Sequence, residues 1–322
     1  MSWLDYSLRS VDSAGNQVLL KRPGCWDVCD WRERRVLGHF TYDDSYTASV
    51  GAWVVDVPRD RVFQSQKGFI RCHSLSDQQE LWKLNIRGYE HGSLTLHPRS
   101  GDILSQDGMV ALRSRRDGTK MKSWVPSQEI VEAFPHPCEP VTLLCRSALL
   151  DKTAGYRGKK RRTFEFYQED TQQYVIAEVE WKVRPFCTFF HGSYCCVEEI
   201  GGLIHCFDVR TGQELWRLQV GKEHASISQG AFHQTLGCWV FVTHMTSELW
   251  HVDPSNGSIL KTRKLPEACG RLFEMFCFVD HGTKLLTIQG KLIDVATLEV
   301  IGEGIFARMG LEFETPLDGQ VA

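Results

Sequence analysis

The side chains best suited to chemistry in this sequence are its 12 histidines and 12 cysteines. A histidine acts as a general base or metal ligand only when a second group lies at a suitable spacing. The chain has no H-E-x-x-H pattern, no G-x-S-x-G nucleophile elbow and no glycine-rich phosphate loop. The closest groupings are His39 with Asp43 and Asp44, His91 with His97, His136 with Cys138, and His191 with Cys187. Because a lone histidine more often makes a structural hydrogen bond, we predict no catalytic residue among them.

Most cysteines stand inside alternating apolar segments, which predicts reduced thiols in the core rather than a disulfide framework. Two pairs are close in sequence, Cys25 with Cys29 and the adjacent Cys195 and Cys196. A C-x3-C pair without a second pair nearby lacks the four ligands of a typical zinc site. The sequence therefore predicts no bound metal.

The densest charge is the basic run Lys159, Lys160, Arg161 and Arg162, which lies in an apparent insertion over residues 151–163. Four adjacent cations after a glycine are typical of a solvated loop tip. The alternative is a docking site for an acidic partner, since such a charge cluster raises the rate of association by electrostatic steering. Nucleic acid is a weaker alternative, because the chain as a whole is slightly acidic.

The chain has 322 residues, 37 Lys and Arg against 40 Asp and Glu, a net charge of −3, and 42% hydrophobic residues. This composition is typical of a folded globular protein and excludes wholesale disorder. No apolar run approaches the 18 to 20 residues of a membrane span. The first residues, MSWLDYSLRS, lack the apolar stretch of a signal peptide. We therefore expect a cytoplasmic protein.

An internal repeat provides the strongest indication of fold. Residues 68–84 (GFIRCHSLSDQQELWKL) and 202–218 (GLIHCFDVRTGQELWRL) align without a gap and share glycine, cysteine and tryptophan positions, with Trp82 matching Trp216. The offset of 134 residues divides into three units of about 45 residues, the length of a four-stranded propeller blade.

Weaker copies of the strand-turn-strand pattern recur along the chain. The seven candidate hairpins span residues 8–20, 68–84, 108–124, 164–179, 202–218, 249–260 and 292–301. They predict an all-β fold, a seven-bladed β-propeller of four-stranded antiparallel blades, as a single domain over residues 1–322. We expect N- and C-terminal strands to close the ring, with residues 303–315 pairing with 8–20, because an open ring leaves bare strand edges. The only helical candidate, one or two turns, is 127–134.

The hairpin at 202–218 resembles the repeat of quinoprotein-like propellers, a superfamily with PQQ-repeat and WD-repeat members. Asp208, Thr211 and Gly212 match its turn, and Leu215 and Trp216 match its outer strand. The resemblance implies a propeller whose Asp and Thr satisfy turn donors and whose glycine has a positive φ. The quinone-dependent enzymes of this group are secreted and about twice as long, and have a cofactor, a calcium site and an adjacent-cysteine disulfide. We expect no cofactor here, and expect strand alternation to place Cys195 and Cys196 on opposite faces.

Fold alone does not decide function, because propellers include both enzymes and binding platforms. The lack of a chemical motif favours a non-enzymatic protein-binding propeller. Within that class we predict a bacterial immunity protein that neutralises a toxin in a tight complex, or a scaffold in an assembly, with Lys159, Lys160, Arg161 and Arg162 as partner-binding residues. The alternative is a hydrolase or lyase whose site lies at the mouth of the central channel.

Overall fold

The chain folds into seven four-stranded antiparallel sheets, which confirms the predicted seven-bladed β-propeller. The computed structural model describes residues 7–11, 15–41, 53–66, 68–86, 93–106, 110–124, 129–149, 160–177, 185–199, 202–220, 227–243, 247–269 and 275–311. No helix in these ranges is long and apolar enough to cross a membrane.

Each blade uses four consecutive strands, so chain order and sheet order coincide. Blade 1 comprises β1 (Ser7–Ser10), β2 (Gln17–Arg22), β3 (Cys25–Asp30) and β4 (Arg35–Thr41). Blade 2 comprises β5 (Trp53–Asp56), β6 (Arg61–Gln66), β7 (Phe69–Ser74) and β8 (Glu80–Asn85). Blade 3 comprises β9 (Ser93–Leu96), β10 (Ile103–Gln106), β11 (Val110–Arg113) and β12 (Lys120–Trp124). Blade 4 comprises β13 (Glu129–Pro135), β14 (Val141–Leu149), β15 (Lys160–Gln168) and β16 (Gln173–Ala177).

The remaining three blades follow the same plan. Blade 5 comprises β17 (Pro185–His191), β18 (Tyr194–Glu199), β19 (Leu203–Asp208) and β20 (Glu214–Gln219). Blade 6 comprises β21 (Ile227–His233), β22 (Cys238–Thr243), β23 (Glu248–Val252) and β24 (Ile259–Lys264). Blade 7 comprises β25 (Phe276–Val279), β26 (Lys284–Thr287), β27 (Leu292–Asp294) and β28 (Val300–Gly302). Short 3-10 helices span Val57–Arg59, Glu267–Cys269 and Ala307–Met309.

The helix predicted over 127–134 is wrong where the structure describes that segment. Residues 129–135 form β13, which pairs with β14 from Glu129 opposite Ser147 to Pro135 opposite Thr142. A short segment with weak helix propensity follows its tertiary partner, because pairing with β14 supplies cross-strand hydrogen bonds that a helix of one or two turns does not.

Asp208 organises the turn between β19 and β20. Its Oδ1 accepts hydrogen bonds from the backbone N–H of Arg210 at 2.9 Å and from the N–H and Oγ1–H of Thr211 at 2.8 and 3.1 Å. Gly212 closes the turn at φ +70°, a conformation that costs little only for glycine. The predicted roles of these three residues are confirmed.

Trp82 and Trp216 occupy equivalent places three blades apart, as the repeat predicts. Each lies on the outermost strand of its blade and donates its indole N–H to a turn carbonyl of the next blade, Trp82 to Arg115 at 3.1 Å and Trp216 to Pro254 at 2.8 Å. In each case a turn glycine of the next blade lies against the ring. A Cβ on Gly257 would stand 2.7 Å from the Trp216 ring.

The tryptophan at the end of 108–124 is not a third copy of this anchor. Trp124 pairs with Val110, whereas the residue opposite Leu112, in the place of Trp82, is Lys122. Lys122 stands over the Tyr167 ring of blade 4, with its Nζ 4.0 Å from the ring centre. The same position therefore connects blades through different chemistry.

The N-terminal hairpin also differs from the prediction. Residues 8–20 contribute the inner pair β1 and β2, while the outer pair of blade 1 is β3 and β4. The other six predicted hairpins fall on the two outer strands of blades 2 to 7.

Ring closure joins the two ends of the chain, but not by the predicted strand addition. β1 to β4 complete the sheet of blade 1, and the described part of 303–315 adds no strand to it. Instead Ile305, Phe306 and Leu311 pack in one apolar cluster with Leu8 and Val18 of blade 1. Residues 312–315 lie outside the described residues. Side-chain packing between the first and last blades thus closes the ring, because the described residues after β28 contribute apolar side chains to the cluster shared with blade 1 and no strand to its sheet.

Trp216→Ala should lower the free energy of unfolding by about 3 to 5 kcal/mol, because it removes a large buried ring and leaves a cavity between blades 5 and 6. The measurement is chemical denaturation. The control is Leu215→Ala, an exposed neighbour on the same strand, which should cost less than about 1 kcal/mol. Equal costs for the two variants would contradict the anchoring role of the indole.

Phe306→Ala should destabilise the whole ring by about 3 to 5 kcal/mol, because Phe306 is 1% exposed in the cluster that joins blades 7 and 1. Val300→Ala on the exposed edge of blade 7 serves as the control. If Phe306→Ala melts at the wild-type temperature, side-chain packing does not close the ring.

Candidate functional site

The strand order gives the ring two different faces. The first strands of neighbouring blades contact one another around the axis, for example β1 with β25 and β17 with β21. Because strands alternate in direction, the turns that join first to second and third to fourth strands lie on one face, here called the turn face. The second-to-third connections and the connections between blades lie on the other face, here called the loop face.

A cavity of about 730 Å³ opens on the turn face beside the inner strands of blades 5, 6, 7 and 1. A second cavity of about 430 Å³ lies next to it at the β21–β22 and β25–β26 turns. His281 lines both. We define the mouth surface as Phe190, His191, Phe232, Leu236 and His281.

Aromatic stacking builds one wall of the larger cavity. The His191 imidazole lies parallel to the Phe232 ring, with the ring centres 3.4 Å apart and a 7° angle between planes. Trp239 supports Phe232 from behind in an edge-on contact at 5.4 Å. Burial lowers the pKa of His191, so its ring is neutral at physiological pH. The His191 and His281 imidazoles both line the cavity.

His136 has a structural role in the opposite wall. Its Nε2 faces the Gly192 carbonyl at 2.8 Å, and its Nδ1 accepts hydrogen bonds from the N–H groups of Cys138 and Glu139 at 3.0 and 2.9 Å. Burial lowers its pKa, which keeps the ring neutral and Nδ1 able to accept. The predicted pairing of His136 with Cys138 is therefore a turn contact through the backbone.

Two further histidines hold turns on the same face. His97 Nδ1 accepts from the Ser100 N–H at 3.3 Å while its Nε2 lies 2.8 Å from a Glu169 oxygen of blade 4. His233 Nδ1 accepts from the Leu236 N–H at 3.1 Å, which positions the Leu236 side chain at the mouth. His91, Asp43 and Asp44 lie outside the described residues, as does the Cys187 side chain.

The cysteines agree with the expectation of reduced core thiols. All eleven cysteines with described side chains are free, and ten are buried. Cys195 packs between blades 4 and 5 and Cys196 between blades 5 and 6, on opposite faces of β18 as predicted. Burial raises the pKa of both thiols, which makes them unreactive.

The described part of the basic run, residues 160–162, begins β15 at the loop face. Lys160, Arg161 and Arg162 belong to β15, where they pair with Leu149, Ala148 and Ser147, rather than to a loop. Lys159 lies outside the described residues. The basic residues therefore extend a hairpin of blade 4, and the sequence prediction that they bind a partner stays a prediction.

Among the described residues, the large exposed apolar side chains lie on the outermost strands of the blades, with one exception at the mouth surface. Of the eleven large exposed apolar residues in the described ranges, ten lie on the outermost strands, and every outermost strand has at least one. A feature common to all seven blades belongs to the fold. The eleventh, Leu236, is 48% exposed and lies in a turn at the mouth surface. No sequence motif marks this surface, since Leu236 reads as an ordinary turn residue.

No protein-family model and no curated protein matches the chain. Solved structures do match. BamB from Moraxella catarrhalis superposes with a TM-score of 0.55 at 10% identity, over 89% of this chain and 81% of that chain. U3-55K superposes with a TM-score of 0.62 at 10% identity, over 88% of each chain. The chain is a β-propeller. With 1460 matching chains and such low identity, the likeness establishes the architecture alone.

His251, a buried residue of β23, provides a pH-dependent element near the turn face. Its Nδ1 lies 3.7 Å from the Cys238 sulfur. Burial lowers its pKa to about 4, and the positive charges of His233, Lys261 and Arg263 act in the same direction. The folded protein therefore resists protonation of a group that titrates near 6.5 in the unfolded chain.

Stability should fall as pH drops from about 6.5 to about 4, because the unfolded chain binds a proton that the folded chain refuses, at a cost of about 3 kcal/mol. His251→Gln should lack this contribution, so that urea unfolding at pH 7 and pH 4.5 gives a smaller difference than in the wild type. The exposed His281→Gln should keep the wild-type difference. An unchanged pH dependence in His251→Gln would contradict the assignment.

Proposed function

We propose that this propeller binds another protein, and that its mouth surface receives an apolar or aromatic side chain of the partner. The observation that carries the proposal is the open aromatic wall of the 730 Å³ cavity, beside the exposed Leu236. A cavity of about 730 Å³ has room for a large side chain of a partner protein.

The geometry favours binding by burial of apolar surface. Phe190 and Phe232 are half-buried, so a partner side chain that covers them removes further apolar area from water. The neutral imidazole of His191 adds a polar contact at the rim, and stacking on Phe232 fixes its orientation. Partly exposed aromatic rings with a polar group nearby are the usual anchors of protein interfaces.

Within this class, we propose a single domain over 1–322 of quinoprotein-like type that acts in the cytoplasm as an immunity protein against a toxin or as a scaffold. The Asp208 to Trp216 motif supports the quinoprotein-like relationship. Lys159, Lys160, Arg161 and Arg162 bind an acidic partner as a second surface, and the described Lys160 to Arg162 begin β15 at the loop face.

Affinity capture from the native cell followed by mass spectrometry identifies the partner, and calorimetry with the purified pair measures the affinity. Leu236→Ser should weaken binding at least about tenfold, a loss of about 1.4 kcal/mol. Leu81→Ser makes the same chemical change at a 44% exposed position on the edge of blade 2 and should leave the affinity unchanged.

Charge reversal of the four basic residues separates the two surfaces. It should lower the association rate and its salt dependence if the loop face also docks the partner. Unchanged affinity in Leu236→Ser would refute the mouth surface as the binding site. If the purified chain, free of every partner, still turns over a small molecule, that activity would favour the hydrolase or lyase alternative instead.

A further inference from the structure

Cys25, Asp27 and His39 meet at the loop-face end of blade 1. Their ligand atoms all lie within 4.8 Å of one another. Asp27 and His39 are direct cross-strand partners on β3 and β4, and Cys25 lies two residues before Asp27 on the same side of β3. This cluster is far along the chain from the residues of the mouth surface, and no part of the proposed function uses it.

The three donors have the chemistry of a transition-metal site. A thiolate, an imidazole nitrogen and a carboxylate oxygen are the ligand types that Zn²⁺ uses, in tetrahedral sets with bond lengths of about 2.0 to 2.3 Å. His39 Nδ1 now lies 2.8 Å from Asp27 Oδ1, and Cys25 Sγ lies 4.0 Å from Asp27 Oδ2. Tetrahedral ligands around zinc are separated by distances between these two values, so small side-chain rotations suffice.

Arg22 holds the carboxylate in place from the other side. Its Nε donates to Asp27 Oδ2 at 2.7 Å, which leaves Oδ1 directed at His39. Ligating carboxylates in metal sites are commonly fixed by such an outer hydrogen bond. The Asp27 side chain is 1% exposed, and its two oxygens face Arg22 and His39 inside the protein.

Access to the cluster comes from one side. Cys25 and Asp27 are buried, while 45% of the His39 side chain is exposed. Three protein ligands and one open side correspond to a site whose fourth ligand is water.

We propose that Cys25 Sγ, Asp27 Oδ1 and His39 Nδ1 bind one divalent transition-metal ion of the zinc class, with water as the fourth ligand. On binding, the Cys25 thiol releases its proton to solvent, His39 ligates through Nδ1 as a neutral ring with its proton on Nε2, and the metal replaces the contact between His39 Nδ1 and Asp27 Oδ1. The ion fastens β3 to β4 in the first blade and thereby stabilises the folded ring.

Cobalt(II) is the probe, because thiolate-bound Co²⁺ absorbs in the near ultraviolet. The full chain, reduced and freed of metal with a chelator, should bind one Co²⁺ with this absorption, and Zn²⁺ should displace it. Cys25→Ser should abolish the thiolate absorption, and His39→Gln should weaken binding at least about tenfold. Zn²⁺ should raise the melting temperature of the wild type but not of Cys25→Ser.

Two matched controls test whether the site is specific. Cys138→Ser removes an exposed thiol and His281→Gln an exposed imidazole, and both should bind Co²⁺ as the wild type does. His39 is largely exposed, so His39→Gln should fold even if Cys25→Ser does not. The proposal is overturned if the wild type shows no thiolate absorption, if the absorption persists in Cys25→Ser, if it is lost in Cys138→Ser, or if a folded His39→Gln binds as tightly as the wild type.

Discussion

Each blade of this protein has two apolar faces, and a four-stranded sheet cannot cover both by itself. The described residues form seven buried apolar clusters, one between every pair of neighbouring blades, including blades 7 and 1. Adjacent residues on one strand serve different clusters, as Cys195 and Cys196 do. Every blade therefore depends on both neighbours, and only a closed ring buries all fourteen faces.

Directional contacts then fix how the blades sit against one another. The indole N–H of Trp216 reaches a carbonyl in the next blade, and the glycine in that turn leaves room for the ring. At the strand position equivalent to Trp216, blades 1, 3 and 4 have Gly38, Lys122 and Val175. The position tolerates this variety because close packing needs complementary volume rather than one residue type. The repeat is consequently clear in two blades and faint in five.

The mouth surface arises from the ends of the inner strands. Phe190 and His191 end one strand, Phe232 lies near the end of the next, and Leu236 and His281 stand in the turns that follow. These residues are separated by up to about 90 positions in the chain. No linear motif can mark such a surface. The structural role of His136 was predictable, because a lone histidine usually makes structural hydrogen bonds. The meeting of Cys25 with His39 is equally invisible in sequence, because it depends on cross-strand register.

The sequence by itself determined the number of blades, the turn chemistry around Asp208 and Gly212, and the equivalence of Trp82 with Trp216, because each follows from local spacing and backbone preference. Tertiary structure decided that residues 129–135 are a strand, that packing of Phe306 rather than an added strand closes the ring, and which side chains converge at the channel mouth and at Asp27. Those outcomes depend on partners distant in the chain, and residue types alone do not specify such partners.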